Sequence, residues 1–169
     1  MNNPVRKTTV AMRVPVGVAN MDVYVNNVIL HMPITRQGNT YVLPVLLRAH
    51  VASGPFDLWT QFGGHGLFAI HTLPIDPPPV NLDFDWTSAP DVLAWRDSLV
   101  NGHASGHSPD TTFDWPGDGM ILTQPNLYFS AVHTGTKVVA HDWHFQCDIY
   151  YTTCQRSIFD YERLSASQH

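Results

Sequence analysis

From Val139 to Tyr151 the side chains alternate in kind. Val139, His141, Trp143, Phe145, Cys147, Ile149 and Tyr151 share one face of an extended chain, and Asp142, His144, Gln146 and Asp148 take the other. A period of two belongs to β-strands. One apolar face and one wet face belong to an antiparallel sheet with a core on a single side. The rhythm recurs in Leu127, Phe129, Ala131 and His133, set against Asn126, Tyr128, Ser130 and Val132. It recurs again where Tyr41, Leu43, Val45, Leu47, Ala49 and Val51 oppose Val42, Pro44, Leu46, Arg48 and His50.

Turn residues punctuate these runs. Gln37-Gly38-Asn39 and Ser53-Gly54-Pro55 bound one strand, Gly63-Gly64-His65-Gly66 precedes another over 67–73, and His133-Thr134-Gly135-Thr136 reads as a turn. Residues 5–18 are β-rich. Met21–Leu30 reads as one strand, or as two arms around Asn26-Asn27, and further strands are expected over Phe56–Phe62 and Asn81–Trp86. One short helix is expected at about 89–100: Ser88 caps it, Pro90 and Asp91 sit in its first turn, Val92, Trp95 and Leu99 repeat at helical spacing, and Asn101-Gly102 stops it. Residues 103–119 read as loop. About eight strands and one helix in 169 residues predict an all-β chain. The expected architecture is an antiparallel two-sheet β-sandwich of the single jelly-roll kind, one domain over 1–169. Residues 74–119 form a Pro- and Asp-rich loop and helix insertion within it.

Charge supports this reading. Thirteen of the 14 acidic residues are Asp, and only Lys7 and Lys137 of the nine basic residues are Lys. Asp favours turns and caps, whereas Glu and Lys favour helices. Between Leu73 and Asp118 there are eight Asp and one Arg, a net of −7, so the insertion is acidic and the rest nearly neutral. Arg6-Lys7 alone cannot neutralise several phosphates, so direct nucleic-acid binding is not expected. No apolar run reaches the length of a membrane span, so no membrane insertion is expected. The N-terminus has no apolar stretch behind its charges, which predicts no secretory signal. Cys147 and Cys154 lie an odd number of residues apart, on opposite faces of one strand, and are expected to be reduced, as in a cytoplasmic protein.

The ten histidines do not form a ligand pattern. His141 and His144 fall on opposite strand faces, His103 and His107 are flanked by Gly102 and Gly106, and Glu162, the single Glu, follows no His-x-His pair. No metal and no cofactor is expected. Imidazole titrates near neutrality, which makes pH-responsive assembly one expectation. No Gly-x-Ser-x-Gly elbow or phosphate-binding glycine loop is present, so no catalytic residue is named. The Asp–aromatic pairs stand out instead. Asp85, Trp86, Asp114 and Trp115, together with Trp95, form a candidate interaction surface, a platform for a sugar or a protein partner; core aromatics beside turn carboxylates are the alternative.

The segment from Pro125-Asn126-Leu127-Tyr128-Phe129 through His141-Asp142-Trp143-His144-Phe145 and Ile149-Tyr150-Tyr151 to Asp160-Tyr161-Glu162-Arg163-Leu164 resembles the last hairpin and tail of single jelly-roll virion proteins of tailless icosahedral viruses. The resemblance implies a non-enzymatic capsid protein that self-assembles as a homo-oligomer. Its partners would be copies of itself and other virion proteins, and its place the virion, assembled in the host cytoplasm. Low charge and abundant aromatic residues fit such an interface-rich brick. Two other readings stay open: a carbohydrate- or partner-binding β-sandwich module, and a cupin-like metal-dependent enzyme.

Overall fold

The computed structural model describes residues 3–14, 23–54, 64–74, 91–99, 111–135 and 143–167. Among them lie ten strands and one helix: β1 (Arg6–Val14), β2 (Val23–His31), β3 (Thr35–Gln37), β4 (Thr40–Gly54), β5 (Gly64–His71), β6 (Val92–Leu99), β7 (Thr111–Asp114), β8 (Met120–Ile121), β9 (Asn126–Gly135), β10 (Trp143–Ser157) and α1 (Ile158–Ser167). All pairings are antiparallel. One sheet runs β1-β10-β4, with β3, β7 and β8 sharing the far edge of β4; the other runs β2-β9-β5-β6. Setting aside the short β3 and β8, every chain crossing between consecutive strands passes from one sheet to the other, except the β5–β6 hairpin.

The alternating residues meet between the layers. Val10, Met12, Leu46, Ala49, Val51, Phe145, Cys147, Ile149 and Tyr151 come from the first sheet, Phe68, Ile70, Leu127 and Phe129 from the second. Phe68 lies at the centre, with ring centroids 6.2 Å from Phe129, 6.3 Å from Phe145 and 6.5 Å from Phe113. Such aromatic contacts add to the roughly 1.5–3 kcal/mol that burial of each large apolar side chain contributes.

Register shifts reset the strand faces in β4 and β2. Tyr150 pairs with Arg48 but Tyr151 pairs with Leu46, so Leu47 is an extra residue bulged out of β4. An insertion of one residue inverts the face of everything beyond it. Leu46 therefore joins Ala49 and Val51 in the central cluster, while Leu43 and Val45 are buried outside it. The unbroken alternation expected over 41–51 is corrected accordingly. Leu43 and Val45 share their face with Tyr41, whose ring stacks 4.2 Å from that of Tyr161 in α1. In β2 the pairing skips from Val25 to Val28, with Asn27 at φ 57°, so Val23–His31 is one bulged strand rather than a hairpin around Asn26-Asn27.

The helix expected at about 89–100 is not there; Val92–Leu99 is β6. Helical spacing of Val92, Trp95 and Leu99 loses to tertiary pairing, because β5 would otherwise present a bare edge and a helix this short is marginal alone. β6 pairs with β5 from His71↔Val92 to His65↔Leu99, and Leu93 and Ala94 pack against the core. The helix among the described residues is instead α1, begun by a Ser-x-x-Asp cap: the Asp160 N–H donates to Ser157 Oγ (3.1 Å), which donates to Asp160 Oδ2 (2.7 Å). Within 103–119, Thr111–Asp114 is the edge strand β7, and the expected turn at 133–135 continues β9. The strands expected over Phe56–Phe62 and Asn81–Trp86 lie outside the described residues.

Pro44 sits inside β4 without breaking the sheet. Its carbonyl accepts from the Leu122 N–H (2.9 Å), away from β10, so its missing N–H falls on the same side and the β10 ladder stays whole.

Candidate functional site

The outer face of the first sheet carries aligned polar rows. Across β1, β10, β4 and β7, Lys7, Tyr150, Arg48 and Asp114 stand in one register row and Thr9, Asp148, His50 and Thr112 in the next. Between these rows and Val5 and Leu47 lies a groove of about 530 Å³, lined also by Arg48, His50, Thr112, Asp114 and Tyr150. Arg48 Nε donates to Asp114 Oδ1 at 2.6 Å, with both side chains more than half exposed. His50 Nδ1 lies 3.2 Å from Thr112 Oγ1. At the other margin Asp148 takes Lys7 Nζ at 2.7 Å, the Thr9 hydroxyl at 2.6 Å and the Gln146 amide at 3.3 Å. The Lys7 and Thr9 bonds hold the Asp148 carboxyl below its ordinary range, and the same contact raises Lys7. Paired charges, hydroxyls and one tyrosine ring offer both donors and acceptors, the chemistry that suits a polar, hydroxyl-rich ligand or a partner's surface.

A second groove, about 520 Å³, lies where β10 passes into α1 and is lined by Arg156, Asp160, Arg163, Leu164 and Ser167. Among the described residues no three His, Cys, Asp or Glu side chains gather as a metal cage would require. One Ser–His pair has the distance of a nucleophile and its base: Ser130 Oγ is 2.8 Å from His71 Nε2. Neither residue has any exposed surface, so no substrate reaches them.

Of the candidate interaction surface, the described residues place Asp114, Trp115 and the backbone of Trp95. Asp114 is exposed and held by Arg48, whereas the half-buried Trp115 side chain packs against the core and its backbone N–H donates to the Leu47 carbonyl at 3.1 Å. Trp95 stands opposite Ala69 in β6. Asp85 and Trp86 lie outside the described residues. Arg48, His50, Asp148 and Tyr150 were missed as site residues. Their signal was the polar face of β4 and β10, which alternation displays without saying that a groove runs along it. Cys147 and Cys154 are both free.

No protein-family model matches the chain, and no curated protein matches it in sequence. Solved structures match it in shape. VP1 of New Jersey polyomavirus aligns at TM-score 0.52 and 8% identity, covering 90% of this chain and 100% of that one. VP1 of Trichodysplasia spinulosa-associated polyomavirus, solved with GM1 oligosaccharide, aligns at 0.51 and 12%, covering 92% and 98%. The same VP1 with 3'-sialyllactose gives 0.50 and 9%, covering 92% and 99%. The fold is the jelly roll of viral capsid proteins. Here its layers are β1-β10-β4, with β3, β7 and β8 on the far edge of β4, and β2-β9-β5-β6, so β6 is a sheet strand rather than part of an insertion's helix.

Proposed function

We propose that this chain is a non-enzymatic structural subunit that assembles with copies of itself into a viral shell. The observation that carries the reading is the two-layer antiparallel fold, which aligns with polyomavirus VP1 over nine-tenths or more of both chains. The sealed Ser130–His71 pair and the closely packed interior also favour a brick over an enzyme. Residues 1–169 act as one domain, and the acidic 74–119 segment supplies contacts between copies and with other virion proteins, inside the virion. Exposed Val5, Ile29 and Phe159 are apolar surface that such contacts would cover. Light scattering on size-excluded protein, with electron microscopy of the peak, tests this. Discrete oligomers or closed particles are expected; a monomer at the highest soluble concentration refutes it.

A second reading concerns the groove beside Tyr150. The VP1 neighbour was solved with GM1 oligosaccharide and with 3'-sialyllactose, and here the groove offers a ring, paired charges and hydroxyls. A glycan array with wild type and Arg48→Ala tests it: binding lost in the variant supports glycan recognition there, and silence from the wild type removes it.

A further inference from the structure

His71 is the last residue of β5 and has no exposed surface. Its Nδ1 lies 2.7 Å from the Leu73 carbonyl, which can only accept, so Nδ1 carries the ring proton. Nε2, 2.8 Å from Ser130 Oγ, is then the acceptor for the Ser130 hydroxyl. The Tyr128 ring stacks on the imidazole at 5.9 Å and 16°. Both nitrogens are thus satisfied in one neutral tautomer. A second ring proton, on Nε2, would require the Ser130 hydroxyl to rotate and accept instead of donate.

Among the described residues the surroundings of the ring are mostly uncharged. From β9 come Tyr128 and Ser130; from the turn ahead of β6 comes Asp91, whose carboxylate favours the charged ring; Thr72 follows directly after β5. Farther along the same face the exposed His31 contacts Asn126 (2.7 Å), whose amide donates to the Tyr128 hydroxyl (3.5 Å). Burial outweighs both the Leu73 carbonyl and Asp91, and lowers the His71 value below its ordinary 6.5. His71 also occupies a mechanical position. The next residue closes the β5–β6 hairpin, Thr72 N–H donating to the Asp91 carbonyl at 2.9 Å beside the irregular His71↔Val92 pair.

We propose that His71 is an acid-sensitive latch on the neck of the β5–β6 hairpin: uptake of a proton in mildly acidic solution opens the neck at 71–74 and 91–92 while the six-stranded sheet stays closed. An opened neck returns the imidazole to water and to its ordinary value, so the open form binds more protons. The ratio of open to closed neck is then flat above about pH 6.5 and rises by up to tenfold per unit as pH falls toward the lower, closed-state value. The latch works within one subunit and does not depend on the shell reading.

Histidine-labelled full chain tests it, using long-range proton–nitrogen spectra and amide exchange corrected for intrinsic rates from about pH 7.5 to about pH 5. One imidazole should remain the neutral Nδ1–H tautomer after the exposed histidines have charged. Protection of the Thr72 amide should fall by up to tenfold per unit below about pH 6.5, with β4 and β10 unchanged. His71→Gln, which keeps a donor and an acceptor but does not titrate, should abolish that dependence. Titration of His71 at its ordinary value, an Nε2–H tautomer, a pH-invariant Thr72 amide or a persisting dependence in His71→Gln overturns the proposal. If His71→Gln does not fold, the two wild-type measurements decide.

Discussion

Gly119 sits against the bulge that lets β4 change faces, and replacing it by alanine should cost more than a glycine substitution normally does. Its φ is 93°, a conformation that disfavours any Cβ, and the added carbon would overlap the Leu46 carbonyl oxygen while lying 2.9 Å from Leu47 Cδ2 and 3.0 Å from Val45 Cγ1. The carbonyl belongs to the backbone of a strand paired on both sides, so it cannot swing away as a side chain would. The left-handed conformation alone costs about 1–2 kcal/mol, and overpacking of this sort adds about 1–3 kcal/mol. The total, about 2–5 kcal/mol, should lower the melting temperature by roughly 4–20 °C for a chain of this length. Gly38→Ala is the matched control: φ is 60° but nothing lies within 4 Å of the added carbon, so only the conformational cost of about 1–2 kcal/mol applies. Urea titrations of both variants, read by tryptophan fluorescence, separate the terms. Equal losses for Gly119→Ala and Gly38→Ala would show that the close approach to β4 carries no energy, and the account of the bulge would fail.

Phe129→Ala removes a side chain with no exposed surface beside Phe68 and should cost about 3–5 kcal/mol in the same titration. Asp148→Asn should lower thermal stability at neutral pH. Because the folded-state value of Asp148 is depressed, the difference from wild type is present above the ordinary carboxylate value of 3.8 and vanishes as pH falls through the lower folded one; a gap that widens in acid contradicts the Lys7–Asp148 assignment. Burial raises both thiols, but Cys147 has no exposed surface and Cys154 is half-buried, so iodoacetamide followed by peptide mass spectrometry should label Cys154 first in the native protein. Reversal of that order contradicts the placement of β10.

Alternation along the chain was enough to place the interior of β9 and β10: Leu127, Phe129, Phe145, Cys147, Ile149 and Tyr151 are all buried. It also marked Gly38, whose φ of 60° makes the β3–β4 turn. What it could not reveal was any change of parity. An extra residue such as Leu47 carries no local mark, because its bulge depends on how far β10 extends opposite. The β6 segment misled for the related reason that a bare edge on β5 outweighs helical spacing, and that edge exists only once the sheet does. By contrast, α1 did have a local signal in Ser157-x-x-Asp160, with Tyr161 and Leu164 at helical spacing. The candidate site was the least readable part. Asp114 could be named, but its partner Arg48 lies 66 residues away, and the row that joins them is a product of register.

The placement of β10 between β1 and β4 has a consequence for synthesis on the ribosome. Thr9 bonds to Asp148 across 139 residues, and the Thr152 hydroxyl reaches Asn3 across 149. A nascent chain that has emerged only through β9 holds β1 with no sheet neighbour and β4 paired only on its far edge, with β3, β7 and β8, so both show an open ladder. The second sheet can begin to zip earlier, since β5, β6 and β9 are already in hand. Completion of the larger sheet waits for the last strand to be translated, so the unfinished polypeptide spends most of its elongation with sticky borders exposed, and chaperone shielding during that interval would matter more than for a fold built from neighbours in sequence.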